Sequence, residues 1–120
     1  MRRRGIGVVI TLVAAVALAA VVQAHMKIEK TEPAEGSTLS APPPHLQFIL
    51  SEKPDLKVTK VELVGTAGKV TLGPAHMMGE KTLMAAITGK MADGKYTVNW
   101  QTAGDDGHVQ KGSFAFTVKH

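Results

Sequence analysis

The chain predicts an all-β domain, an antiparallel sandwich or Greek-key barrel, placed behind an N-terminal export signal. Three observations carry this expectation. Short segments of apolar–polar alternation recur between Gly- and Pro-rich turns, about seven in all. No long segment has the helical period of apolar residues. The chain also opens Met1-Arg2-Arg3-Arg4, runs apolar from Ile6 to Val22, and closes that run with Val22-Gln23-Ala24, the small-residue pattern behind which a signal peptidase cuts.

The elements follow in order. His25 to Thr31 forms the first strand, and Glu32-Pro33-Ala34-Glu35-Gly36-Ser37 turns the chain, with Pro and Gly as punctuation. Ala41-Pro42-Pro43-Pro44 is a stiff extended connector. His45 to Ser51 alternates cleanly, with Leu46, Phe48 and Leu50 on one face and His45 and Gln47 on the other. Lys57 to Val64 turns Val61 and Leu63 inward, and Lys69 to Leu72 and Thr82 to Ile87 give two weaker strands. Lys95 to Gln101 places Tyr96, Val98 and Trp100 on one face, and Gly112 to Val118 does the same for Phe114, Phe116 and Val118. These aromatics sit at strand period and read as core, not as a ligand platform.

Length and composition narrow the function. The 120 residues divide into a signal over 1–24 and one small domain over 25–120. The formal charge of +4 rests on the signal. Arg2, Arg3 and Arg4 are the only arginines, and without them lysines and acids nearly balance. No basic block remains to engage nucleic acid. The chain has no cysteine, which excludes blue-copper, iron–sulfur and thiolate-zinc centres and a lipid anchor on cysteine. The expected product is exported and soluble, with an uncleaved signal acting as a membrane anchor as the alternative. The apolar run is close to the minimum of about 17 residues that span a bilayer.

Cleavage after Ala24 makes His25 the N-terminal residue. Its free α-amine and imidazole Nδ1 then close a chelate ring on a metal, which an internal histidine cannot do because its backbone nitrogen is an amide. A second candidate stretch, Gly104-Asp105-Asp106-Gly107-His108, lies between the two strongest strands and reads as an exposed loop. Asp106 and His108 stand two apart, with Gly107 allowing a tight turn that brings both side chains to one ion. Alone, Asp-Gly-His reads as an ordinary turn. With His25 the set becomes an amine, two imidazoles and a carboxylate, which suits tetragonal Cu(II), the ion that also heads the affinity order.

The chain resembles the CopC-like periplasmic copper-binding (copper resistance) proteins from His25 to about Val118. The landmarks are Ala24-His25, Thr31-Glu32-Pro33-Ala34-Glu35-Gly36, Leu46-Gln47-Phe48-Ile49-Leu50-Ser51-Glu52, Asp93-Gly94-Lys95-Tyr96-Thr97-Val98-Asn99-Trp100, and Asp106-Gly107-His108 leading to Gly112-Ser113-Phe114-Ala115-Phe116. The resemblance implies an Ig-like, seven-stranded fold. It also implies a Cu(II) site with His25 giving amine and imidazole, His108 imidazole and Asp106 carboxylate. Asp105 is the rival carboxylate, and Asp106 keeps the family spacing. Glu52 matches a family glutamate beside the site, against the plainer reading of an exposed strand-end acid. Some family members carry a Cu(I) site in a methionine-rich loop. Here the candidates are His76, Met77 and Met78, with Met84 or Met91, but the spaced run of methionines is missing and no strong Cu(I) site is expected. Met84 reads as core filler, and His45 and His120 read as solvated. The resemblance implies a partner as well, a copper-transporting inner-membrane protein; a monomer is expected.

Three functions compete: a non-enzymatic periplasmic Cu(II) carrier or buffer for copper homeostasis, an oxidative copper enzyme with an N-terminal histidine chelate, and a metal-free Ig-like interaction domain. The carrier is favoured. Few aromatics remain for a substrate face, and Asp106 would occupy a position that oxygen chemistry leaves open.

Overall fold

The computed structural model describes residues 25–120, so the signal expected over 1–24 lies outside the described residues. Two β-sheets face each other across one core. The first has the order β1 (Ile28–Glu32), β3 (His45–Leu50), β7 (Thr82–Ala86), β6 (His76–Met77). The second runs β2 (Thr38–Leu39), β9 (Val109–Val118), β8 (Gly94–Ala103), β4 (Lys60–Gly65), β5 (Gly68–Val70). The chain passes repeatedly between the sheets, so β3 lies between β1 and β7 rather than beside β2 or β4, and β4 lies between its neighbour β5 and the distant β8. The all-β sandwich is as the alternation predicts.

The departures are local. Two strands of two residues each, β2 and β6, escape a reading based on alternation because they are too short to alternate. β2 also pairs in parallel with β9, Thr38 beside Thr117, in a fold that is otherwise antiparallel. The third predicted strand starts late. Leu56–Val58 forms a 3-10 turn whose first free N–H groups are met by Asp55, which accepts from the Lys57 amide at 3.0 Å. The first strand also starts late, at Ile28, leaving His25 to Lys27 as a lead outside the ladder.

The core is built from the faces that alternation assigned. Leu46, Phe48 and Leu50 of β3 meet Tyr96 and Val98 of β8 and Phe114, Phe116 and Val118 of β9. Phe48 and Phe114 pack edge to face across the sheets at 6.0 Å, and Tyr96 stacks on Phe116 at 5.7 Å. Trp100 keeps the parity of Tyr96 and Val98 but is only partly buried at the margin of this cluster. Met84 departs from expectation. Leu83 and Ala85 are the buried residues of β7, so strand parity sends Met84 to the opposite face. Met26 is the addition that matters most for the site. It is 1% exposed, and it fixes the chain immediately behind His25 in the core.

Candidate metal centre

The β8–β9 hairpin determines where the candidate ligands stand. Its ladder runs unbroken from Gly94 opposite Val118 to Ala103 opposite Val109, further than the Lys95–Gln101 and Gly112–Val118 segments predicted. The residues left over, Gly104 to His108, form the tip. β1 lies across the core in the other sheet, with Ile28 opposite Leu50. Its lead residues reach the same pole as the hairpin tip. Neighbours then diverge: Met26 enters the core, and His25 contacts the tip.

The tip is a compact turn. The Gly107 amide donates to the Gly104 carbonyl at 3.1 Å, and Gly107 has φ of +72°, a conformation that side-chain-bearing residues rarely adopt. Asp106 folds back so that Oδ1 accepts from the His108 amide at 2.9 Å. Its other oxygen, Oδ2, lies 2.6 Å from Nδ1 of His25, a contact spanning 81 residues of sequence. A carboxylate only accepts, so Nδ1 carries the proton of this bond. The His25 and His108 rings stack at 4.6 Å with 27° between their planes. His25, Asp106 and His108 are thus brought together, and Asp106 rather than Asp105 is the carboxylate in contact with His25.

Electrostatics favour an ionised Asp106. The His108 amide bonded to Oδ1 is the largest cause and the His25 imidazole the next, and together they hold the carboxyl below its ordinary range against a smaller opposing effect of burial. An anion beside two imidazoles suits a divalent cation. The donor atoms do not yet surround one point, however. Among the described residues no group of three or more His, Asp or Glu side chains forms a finished cage. Two causes are visible. The Asp106–His25 bond uses the atoms that a metal would take, and stacked rings present faces rather than converging nitrogens. A third follows from the sequence: with Ala24 attached, the His25 backbone nitrogen is an amide and no donor. The donor chemistry fits Cu(II), and the arrangement needs the His25 proton removed and its ring turned.

Glu52 lies against this loop. Its Oε1 accepts from the Asp105 amide at 3.0 Å, so its bonded partner is the loop backbone rather than a histidine. Gly104 makes that approach possible. A Cβ there would stand 2.5 Å from Glu52 Oε1 and 3.0 Å from Met26 Cβ. Neither Gly104 nor Gln110, whose Nε2 donates to the Met26 carbonyl at 2.7 Å, is singled out by the sequence reading. A signal for Gln110 was present: it shares strand parity with Phe114, Phe116 and Val118 and so faces inward.

The other candidates lie elsewhere. His76 and Met77 form β6, separated from β1 by β7 and β3. Met77 packs on the core, while His76 and Met78 are exposed. Met84 stands opposite His76 in register, and Met91 is buried at 8% exposure, away from solvent. His45 begins β3, half-buried beside Pro43 and Pro44. His120, expected to be solvated, is exposed but pairs through Nδ1 with Asp93, whose carboxyl is lowered chiefly by that bond. Both of these histidines lie at the pole opposite the hairpin tip.

The family model described as the CopC domain matches residues 28–119. The chain belongs to the CopC family. It is 28% identical over 123 residues to the copper resistance protein C of Xanthomonas campestris pv. juglandis, covering 97% of both chains. It is 31% identical over 119 residues to the copper resistance protein C of Pseudomonas syringae pv. tomato, covering 92% of this chain and 94% of that one. The crystal structure of PcoC, a methionine-rich copper resistance protein from Escherichia coli, superposes with a TM-score of 0.72 at 25% identity, over 80% of this chain and all of PcoC. CopC from Methylosinus trichosporium OB3b shares the fold, with a TM-score of 0.71 at 19% identity over 79% of this chain and 94% of that one. CopC membership accounts for the β-sandwich.

Proposed function

We propose that this CopC-family chain is exported to the periplasm, cut after Ala24, and binds Cu(II) to buffer it or to pass it to a copper-transporting inner-membrane protein. His25 supplies its new α-amine and Nδ1, His108 an imidazole and Asp106 a carboxylate. The observation that carries this reading is the contact of His25 with Asp106, across 81 residues of sequence, together with the stacking of His25 on His108. Copper resistance proteins among the relatives support the choice of metal.

The ligands set the pH dependence. Copper at Nδ1 takes the neutral imidazole tautomer whose proton sits on Nε2, and it displaces a proton from the amine, whose ordinary pKa is about 7.7–8.0. Binding therefore weakens as pH falls. The reading is a monomeric carrier, not an enzyme. Phe48, Tyr96, Phe114 and Phe116 are buried in the core, and Trp100 is partly buried against it, so among the described residues the aromatics serve packing. A second, soft Cu(I) site is not part of the reading, because Met77 turns toward the core while His76 and Met78 face solvent.

Two measurements test the proposal together. The intact mass of the exported protein locates the cut, with a chain starting at His25 expected. Cu(II) titration of that protein and of its His108→Ala variant then tests the ligand set. One equivalent bound, and sharply weaker binding in the variant, is the expected result; equal affinity would remove His108 from the site.

A further inference from the structure

The residues behind His25 are held from both sheets at once. Met26 is a core residue at 1% exposure, and its carbonyl accepts from Gln110 Nε2 of β9 at 2.7 Å. At the next residue the Lys27 amide donates to Ser51 Oγ at 2.8 Å, and the Lys27 carbonyl accepts from the Ser51 amide at 2.9 Å. Ser51 follows β3 of one sheet, and Gln110 stands in β9 of the other. The Met26–Lys27 peptide group is therefore clamped at both ends, its carbonyl by Gln110 and its N–H by Ser51. Gln110 is also two residues from His108, so one strand end carries both a candidate ligand and the group that holds the chain bearing the other.

We infer that Gln110 is a positioning residue: its side-chain amide holds the Met26 carbonyl so that the His25 ring stays stacked on His108 beside Asp106. A chain end held only by its last side chain would sample many orientations, and each must be given up when a metal is gripped. The Gln110 bond removes much of that freedom beforehand. Groups outside the ligand shell that orient ligands this way typically change metal affinity about 10- to 100-fold. Only the metal readout of this inference rests on the copper reading; the ring arrangement exists without metal.

The test uses the exported protein with Gln110→Met, which keeps length but has no donor, and Gln110→Glu, which keeps shape but puts an acceptor against the carbonyl. In the metal-free protein the nuclear Overhauser contact between the His25 and His108 rings is expected to weaken or vanish in both, with the thermal midpoint held within a few degrees. Cu(II) affinity is expected to fall about tenfold. Persistence of the ring contact in both variants overturns the inference whatever the metal does. Global unfolding of both also overturns it, because Gln110 would then serve the fold rather than the chain end. The copper reading fails separately, through unchanged affinity in His108→Ala.

Discussion

Gly104→Ala places one methyl group where the structure leaves no room. The added Cβ meets Glu52 Oε1 at 2.5 Å, Glu52 Cδ at 2.9 Å and Met26 Cβ at 3.0 Å, against an optimum of about 3.5–4.0 Å for carbon contacts. Two responses are open. Glu52 can swing its flexible end away, which breaks its bond to the Asp105 amide. Met26 cannot yield as cheaply, since its Cβ is tied to a backbone clamped by Gln110 and Ser51 and its side chain fills the core. Overpacking of this kind costs about 1–3 kcal/mol. In a domain of this size each kcal/mol lowers the melting midpoint by roughly 4–8 °C. Thermal unfolding followed by circular dichroism reads this directly. Glu52→Ala in the same chain should return part of the loss, because it removes the nearest obstacle, and the two substitutions should therefore be non-additive. A midpoint within about 1 °C of wild type for Gly104→Ala, or strict additivity in the double variant, would refute the crowded loop base.

Other outcomes follow from the same geometry. Met26→Ala empties a fully buried position and should cost about 2–5 kcal/mol in chemical denaturation, with His25 losing its fixed direction. Asp106 is held ionised in the folded state, so its contribution to stability is present above its ordinary pKa range and is lost as acid carries the pH down through its lowered folded value. Stability of Asp106→Asn in acid denaturation should accordingly depend less on pH below about pH 4. Gly112→Ala drives a methyl into the Trp100 ring, 2.4 Å from its nearest carbon, and should both destabilise the fold and shift the fluorescence of the sole tryptophan; an unchanged spectrum would argue against that packing.

Much of the fold was legible in the chain because period-2 alternation and inter-sheet burial report the same residues. Leu46, Phe48 and Leu50, and again Phe114, Phe116 and Val118, alternate because one face of each strand is core. The parts that were not legible are those where alternation has no length to act on or where two strands must be known at once. Thr38–Leu39 and His76–Met77 are too short to show a period. Met84 was assigned to the core from its own strand, while Leu83 and Ala85 occupy that face. The site shows the same division. His25, Asp106 and His108 are visible as donor chemistry, and the fold brings them together. The supports are long-range: Gln110 reaches Met26, and Glu52 reaches the Asp105 amide, through contacts that no local pattern records. His120 pairing with Asp93 belongs to the same class.

The central claim is that cutting after Ala24 creates the copper site by turning the His25 amide into an amine donor. Cu(II) affinity of the exported protein, measured beside the same protein with one extra residue ahead of His25, tests it most directly. A loss of more than about 100-fold, with electron paramagnetic resonance changing from a nitrogen-rich tetragonal centre to a poorer one, is the predicted result. Equal affinity and an identical spectrum would contradict it.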